Sequence, residues 1–232
     1  MQPETPLYPV RVRGDLDPAL SRWQWLVKWI LAIPHYIVLF FLHIAYVVVT
    51  VIAFFAILFT GKYPRGLFDF NVGVMRWRWR VIFYALSPLG TDKYPPFSLQ
   101  TNSEYPADLE VDYPEHLHRG LVLIKWWLLA IPHYLILAAF FYGGLQFMGS
   151  GDVNGDGGYI LVPLIRVLLL IAVLALLFTA RYPKGLYDFV MGINRWAIRV
   201  LAYSSLMRDE YPPFRLDMGP GEPEPPAVPE SA

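Results

Sequence analysis

The chain has 232 residues, 56% hydrophobic and only 16% charged, with 19 Lys+Arg against 19 Asp+Glu and no cysteine. Ordinary soluble domains carry about 45–50% apolar and about 25% charged residues, so the balance points to a membrane environment. The zero formal charge offers no basic field for nucleic acid, and the lack of cysteine excludes disulfides, thiolate chemistry and Cys-ligated zinc or iron–sulfur sites. The first 20 residues hold no apolar core, so no cleavable signal peptide is expected and the first membrane helix would direct insertion.

Residues 8–14 alternate apolar and charged side chains, the pattern of a short extended segment. Asp17-Pro18 then supplies a helix start signal. From Leu26 to Phe59 the strongly polar or ionisable side chains are Lys28, His35, His43 and Thr50. One straight helix of that length would measure roughly 50 Å, against a hydrocarbon core of about 30 Å. Either a single tilted helix crosses with excess or two short helices form a hairpin.

The chain then repeats itself. Ala32-Ile-Pro-His-Tyr36 returns as Ala130-Ile-Pro-His-Tyr134, the run Phe59–Phe70 as Phe178–Phe189, and Tyr94-Pro-Pro-Phe97 as Tyr211-Pro-Pro-Phe214. Two modules follow, residues 8–100 and 105–217, ahead of a Pro-rich tail, 218–232, expected to be disordered. The histidines are offset by 98 positions and Asp69/Asp188 by 119, so the second copy carries 21 extra residues, including the glycine-rich run 149–158. Such a run must leave the hydrocarbon. The second copy therefore reads as a hairpin, Leu121 to Tyr142 out and Tyr159 to Ala180 back, with an inserted outer loop over 143–163. By analogy the first copy should turn near His43 to Tyr46. Lys and Arg gather before each first helix and after each second one, which places both termini and the linker in the cytoplasm; Arg166 stands apart and would snorkel outwards.

Each hairpin is followed by an amphipathic segment. Phe70, Val74, Trp77, Val81 and Tyr84 form one helical stripe, matched by Phe189, Ile193, Trp196, Val200 and Tyr203. Beside it lie Asp69, Arg76 and Arg80, matched by Asp188, Arg195 and Arg199. Aromatics flanked by arginines describe a helix in the headgroup region that contacts anionic lipid phosphates, with the aspartates also able to pair with the arginines. Four short extended pieces, around 10–13, 97–101, 108–112 and 214–218, are candidates for a small cytoplasmic sheet. The fold class expected is an all-α membrane protein, two transmembrane hairpins (about four spans), each followed by an interfacial helix.

These motifs, in particular Lys-Trp-x-Leu-Ala-Ile-Pro-His-Tyr, the run from Phe59 through Trp77, and Tyr-Pro-Pro-Phe, resemble the bacterial membrane domain of unknown function DUF4389, here in tandem. The resemblance covers roughly residues 20–100 and 115–217 and implies a multi-pass protein of the bacterial inner membrane, with no assigned reaction and no catalytic residues.

His35 and His133 fall near mid-bilayer on this reading, where an ionisable side chain is a functional candidate. Three roles fit: each His braces a carbonyl freed by the adjacent proline, the pair ligates a haem, or the pair relays protons or ions. Asp152, Asn154 and Asp156 match the first half of a calcium loop, but the twelfth position is Pro163, so a site there would be open and weak. The same residues also make an ordinary turn. No G-x-S-x-G, H-E-x-x-H or P-loop is present. The function expected is a non-enzymatic scaffold or accessory subunit that contacts lipid headgroups or partner proteins at the cytoplasmic face, alone or as a homo-oligomer. The alternative is a small redox or ion-transport protein that uses the paired histidines.

Overall fold

The computed structural model describes residues 8–142, 144–148, 159–179 and 181–217. Alternation sets the first element: in β1 (Val10–Gly14) the residues Val10, Val12 and Gly14 are buried while Arg11 and Arg13 face outwards. β1 pairs antiparallel with β2 (Ala107–Val111), Val12 opposite Leu109, and Arg11 bridges Glu110 and Asp112 at 3.2 and 2.7 Å. Two of the four expected strands therefore form. Residues 97–101 do not, because their carbonyls accept from arginine side chains instead of from a ladder, and residues 214–217 form none either.

Asp17-Pro18 opens a turn and not a helix. The Asp17 carboxylate accepts from Ala19 N, while Ser21 N–H and the Gln24 amide donate to Asp92, which ties this stretch to the end of the module. Helix α1 (Trp25–Leu31) follows, then α2 (Ile33–Thr60), whose 28 residues run unbroken to Gly61 in the left-handed conformation. The turn expected near His43 to Tyr46 is absent. Between His35 and Thr60 there is no glycine or proline to break the helix, and Gly61 is the first residue suited to close it.

After Tyr63-Pro64, α3 (Arg65–Ala85) turns back and lies antiparallel to α1 and α2. Lys28 sits over the Tyr84 ring, Trp77 reaches His35, and Asn71 reaches Thr50. The hairpin of the first copy thus joins the apolar helix to the amphipathic one.

In the second copy α4 (Arg119–Ile124) passes through a π-helical turn (Lys125–Leu129) into α5 (Ile131–Phe141). The π turn has a cause in the sequence: eight positions separate Lys125 from His133, where seven separate Lys28 from His35. Ala130 N–H reaches back five residues to the Lys125 carbonyl, where Ala32 N–H reaches back four to that of Lys28. One inserted residue is absorbed in the helix wall and both functional side chains keep their places.

Strands β3 (Gly144–Met148) and β4 (Tyr159–Pro163) then pair antiparallel, and α6 (Leu164–Thr179) precedes α7 (Lys184–Ser204). The 11 residues of α5 and 16 of α6 together take the place of the 28 of α2. They pack in succession along the antiparallel α7: Lys125 over Tyr203, His133 against Trp196, Phe140 against Phe189, and Ile165 against Val190 and Ile193. Thr179 closes α6 on the Ala175 carbonyl as Thr60 closes α2 on that of Ala56, both at 2.6 Å. The out-and-back reading of Leu121–Tyr142 and Tyr159–Ala180 is therefore corrected. The extra residues interrupt one helix with a β-hairpin, and α6 resumes where α5 stopped. Among the described residues two helices, Ile33–Thr60 and Arg119–Phe141, are long and apolar enough to cross a membrane by length and composition, where four spans were expected; α6 is shorter. The mainly helical architecture stands, with two two-stranded sheets among the described residues.

The copies interlock at the centre. β1, which opens the first copy, packs on α7 of the second, and β2, which opens the second, packs on α3 of the first. Trp79 Nε1–H donates to the Arg13 carbonyl and the Tyr187 hydroxyl to that of Gly14. Met191 and Phe83 close so tightly on Gly14 that a Cβ there would lie 2.5 Å from the Met191 methyl. Neither module could bury its amphipathic helix without the other's strand.

Candidate functional site

The repeated motifs converge in each copy on one buried histidine. Pro34 and Pro132 occupy the first turn of α2 and α5, where a missing N–H is tolerated. The carbonyl brace expected of the histidines does not form: among the described residues neither imidazole donates to a carbonyl. His35 Nδ1 instead accepts from Trp77 Nε1–H at 3.0 Å, and His133 Nδ1 from Trp196 Nε1–H at 3.1 Å. The Phe97 ring stacks on His35 with centroids 3.9 Å apart, and Phe214 on His133 at 4.2 Å. Tyr94 and Tyr211 tilt against the same imidazoles and donate their hydroxyls to the carbonyls of Leu31 and Leu129. Tyr-Pro-Pro-Phe is thus a strap, and Pro-His is the post to which it is fastened.

This geometry fixes the tautomer. An imidazole whose Nδ1 accepts carries its proton on Nε2, so neither nitrogen keeps a lone pair for a metal or haem iron. Each ring is also enclosed by Trp, Phe and Tyr of its own copy and not by the other histidine. The facing pair expected for a haem or a relay does not form. Among the described residues neither Nε2 has a hydrogen-bond partner through which a relay would continue.

About two turns before each histidine post lies a buried ion pair that sequence reasoning missed. Lys28 Nζ is 2.7 Å from Asp92 and donates to the Thr91 carbonyl, and Lys125 Nζ is 2.8 Å from Asp209 and donates to that of Arg208. Both lysines are almost fully buried. A lysine there is tolerable only when paired, and removal of one partner from such a pair costs about 3–5 kcal/mol. Burial pushes the Asp209 carboxyl up, but Lys125 and the His118 backbone N–H together outweigh it and hold the group below the usual carboxylate range. The signal was present in the sequence: Lys-Trp and the Asp two residues before Tyr-Pro-Pro-Phe recur in both copies.

The arginine stripe turns inwards. Arg76 donates to the carbonyls of Leu99 and Leu109 and lies 3.0 Å from Asp108. Arg80 is fully buried, bound to Asp108 and to the carbonyls of Ala107, Ser98 and Gln100. Arg195 donates to the Val12 carbonyl, and Arg199 is fully buried, its guanidinium 5.3 Å from the Tyr8 ring. Arg76, Arg80 and Arg195 bind the strap and the strands and Arg199 is buried, so the headgroup role expected for Arg76, Arg80, Arg195 and Arg199 does not fit their places. The amphipathic helices are central and not interfacial. Asp69 and Asp188 pair with Arg65 and Lys184 one turn earlier, on the surface. Asp152, Asn154 and Asp156 lie outside the described residues.

The family described as "Domain of unknown function (DUF4389)" matches residues 22–98 and 159–215, more than half of the chain. The second match begins at the start of β4, just ahead of α6. No curated protein and no solved structure matches the chain.

Proposed function

The chain belongs to the DUF4389 family, and from that premise and its geometry we propose a non-enzymatic scaffold held in the cytoplasmic leaflet of the bacterial inner membrane. The observation that carries the reading is the apolar skin formed by α1, α2, α4, α5 and α6. Phe41 is 65% exposed, Phe59 72%, Leu135 67% and Phe178 78%, with tryptophans 23, 29, 126 and 127 also exposed. Apolar patches on soluble monomers rarely exceed a few hundred Å², so this skin calls for lipid. Charged residues gather instead around β1 and β2, where Arg11, Glu110 and Asp112 offer a polar platform to partner proteins or a second copy.

The unbroken α2 also bears on the topology. Arg22 precedes the first apolar arm and Lys62 and Arg65 follow it; Arg119 precedes the second and Arg181 and Lys184 follow it. Positive flanks mark the cytoplasmic side, and here they mark both ends of each arm. A stripe of α2 from His35 through Tyr46 and Ala53 to Ile57 is buried against the protein along its length. Both features favour arms that lie within the inner leaflet, termini and platform in the cytoplasm, over a multi-pass arrangement. Alkaline carbonate washing of membranes is expected to leave the protein in the pellet; release into the supernatant would refute the embedding. Cross-linking in cells from Glu110→Cys is expected to trap a membrane-protein partner or a second copy, and a monomer alone would remove the scaffold role.

A further inference from the structure

A groove of about 970 Å³ lies between α3, α5, α6 and α7, lined mainly by apolar side chains such as Ile82, Leu137, Leu169 and Leu201. Its charged lining residues are both cations, Arg78 and Arg166, with no carboxylate among them. The contrast with the arginine stripe is the informative point. Arg76, Arg80 and Arg195 are bound to carbonyls of this chain, whereas Arg78 and Arg166 are exposed and, among the described residues, make no hydrogen bond or ion pair. Two free guanidinium groups in an apolar groove on a helical layer that faces lipid describe a receptor for an amphiphile with a negative head. The volume suits a lipid-sized ligand, since small-molecule pockets run from about 300 to 1,000 Å³.

We propose that this groove binds one anionic phospholipid, its phosphate held by Arg78 and Arg166 and its acyl chains along Ile82, Leu137, Leu169 and Leu201. Guanidinium matches phosphate geometry with paired N–H donors, and it does so most strongly where water is scarce. The inference rests on the membrane reading above and moves the lipid-phosphate contact from the buried stripe to two other side chains. Arg78 sits in the register of α3 that turns away from the strap, and Arg166 is in the first turn of α6, so the β-hairpin that interrupts the second helix sets the position of the second cation.

The test uses the full chain in neutral detergent, with phosphatidylglycerol or phosphatidylcholine titrated in and retention read by native mass spectrometry. The wild type is expected to hold one phosphatidylglycerol and little phosphatidylcholine. Arg78→Gln/Arg166→Gln should weaken phosphatidylglycerol retention roughly tenfold or more, the loss of charge-assisted hydrogen bonds. Ala197→Trp, which fills the groove and keeps both cations, should weaken it as well. Equal retention of the two lipids, or equal retention by wild type and both variants, would overturn the proposal. Binding of inorganic phosphate with the wild-type affinity for phosphatidylglycerol would also overturn it, because the acyl chains would then contribute nothing. Membrane retention of the same proteins separates the two readings: a chain that stays in washed membranes but holds no lipid fails only here, and a chain that washes off fails the membrane reading itself.

Discussion

Replacement of Gly73 or Gly192 by alanine sets two known effects against each other. Both glycines lie within helices, α3 and α7, where alanine is intrinsically better by about 1 kcal/mol. Against that gain stands the strap. A Cβ on Gly73 would lie 2.8 Å from Leu99 Cβ and 3.0 Å from the Leu99 carbonyl oxygen; on Gly192 it would lie 2.5 Å from the Leu216 carbonyl oxygen and 2.8 Å from Leu216 Cβ. Those contacts are largely with backbone that Arg76 already holds in the first copy, so no rotamer change relieves them. Overpacking of this kind costs about 1–3 kcal/mol, and the upper half of that range applies where backbone must move. The net expectation is destabilisation by about 1–2 kcal/mol, larger for Gly192→Ala, or a fall of about 2–6 °C in unfolding midpoint for a chain of this size. Gly66→Ala and Gly185→Ala are the controls, since a Cβ at either meets nothing within 4 Å; they should leave stability unchanged or raise it by up to about 1 kcal/mol. Thermal unfolding in detergent, followed by tryptophan fluorescence, reads all four. If Gly73→Ala and Gly192→Ala proved as stable as their controls, the strap would not be packed on these helices as described.

Three further outcomes follow from the same contacts. Trp77→Phe removes the N–H donated to His35 Nδ1 and leaves a buried acceptor, at a cost of about 1–3 kcal/mol; nitrogen-15 NMR of the wild type should find both buried imidazoles protonated on Nε2. Because the Asp209 carboxyl is held below its ordinary value, its contribution to stability is fully present above about pH 4 and is lost as pH falls through the folded-state value. Asp209→Asn should flatten that acid limb of a stability–pH profile, and an unchanged limb would mean that the Lys125 pair does not form. Deletion of Trp127 should convert the π turn to regular α-helix while Lys125 keeps its partner, so that the acid limb survives in the shortened chain.

The repeat and the two amphipathic helices were legible because their signal is local: an aromatic stripe at helical spacing gives α3 and α7 nearly to their ends. Direction was not. A glycine-rich insertion in the second copy looks like a reversal of chain, yet the strands on either side of it, β3 and β4, pair with each other while α6 carries on from α5, and the same reversal in the first copy would need a turn in α2 where no residue can make one. The arginines show a second limit. Their spacing reveals that they share a flank of the helix, but the carboxylate bound to Arg80 is Asp108, 28 positions away in a strand of the other copy. The repeated Pro-His motif stands out in the sequence, while the indole partners of the two histidines lie 42 and 63 positions off, beyond any local pattern.

Accessibility at the two ends of the apolar arms tests the central claim most directly. The chain has no cysteine, so Lys62→Cys, Lys184→Cys and Ser103→Cys each introduce a single reporter at an exposed position. Arms that lie in the inner leaflet keep all three on the cytoplasmic side: an impermeant thiol reagent should label none in intact cells and all after the cells are opened. Labelling of Lys62→Cys or Lys184→Cys in intact cells, with Ser103→Cys still protected, would show that the arms cross the bilayer and would contradict the one-leaflet arrangement.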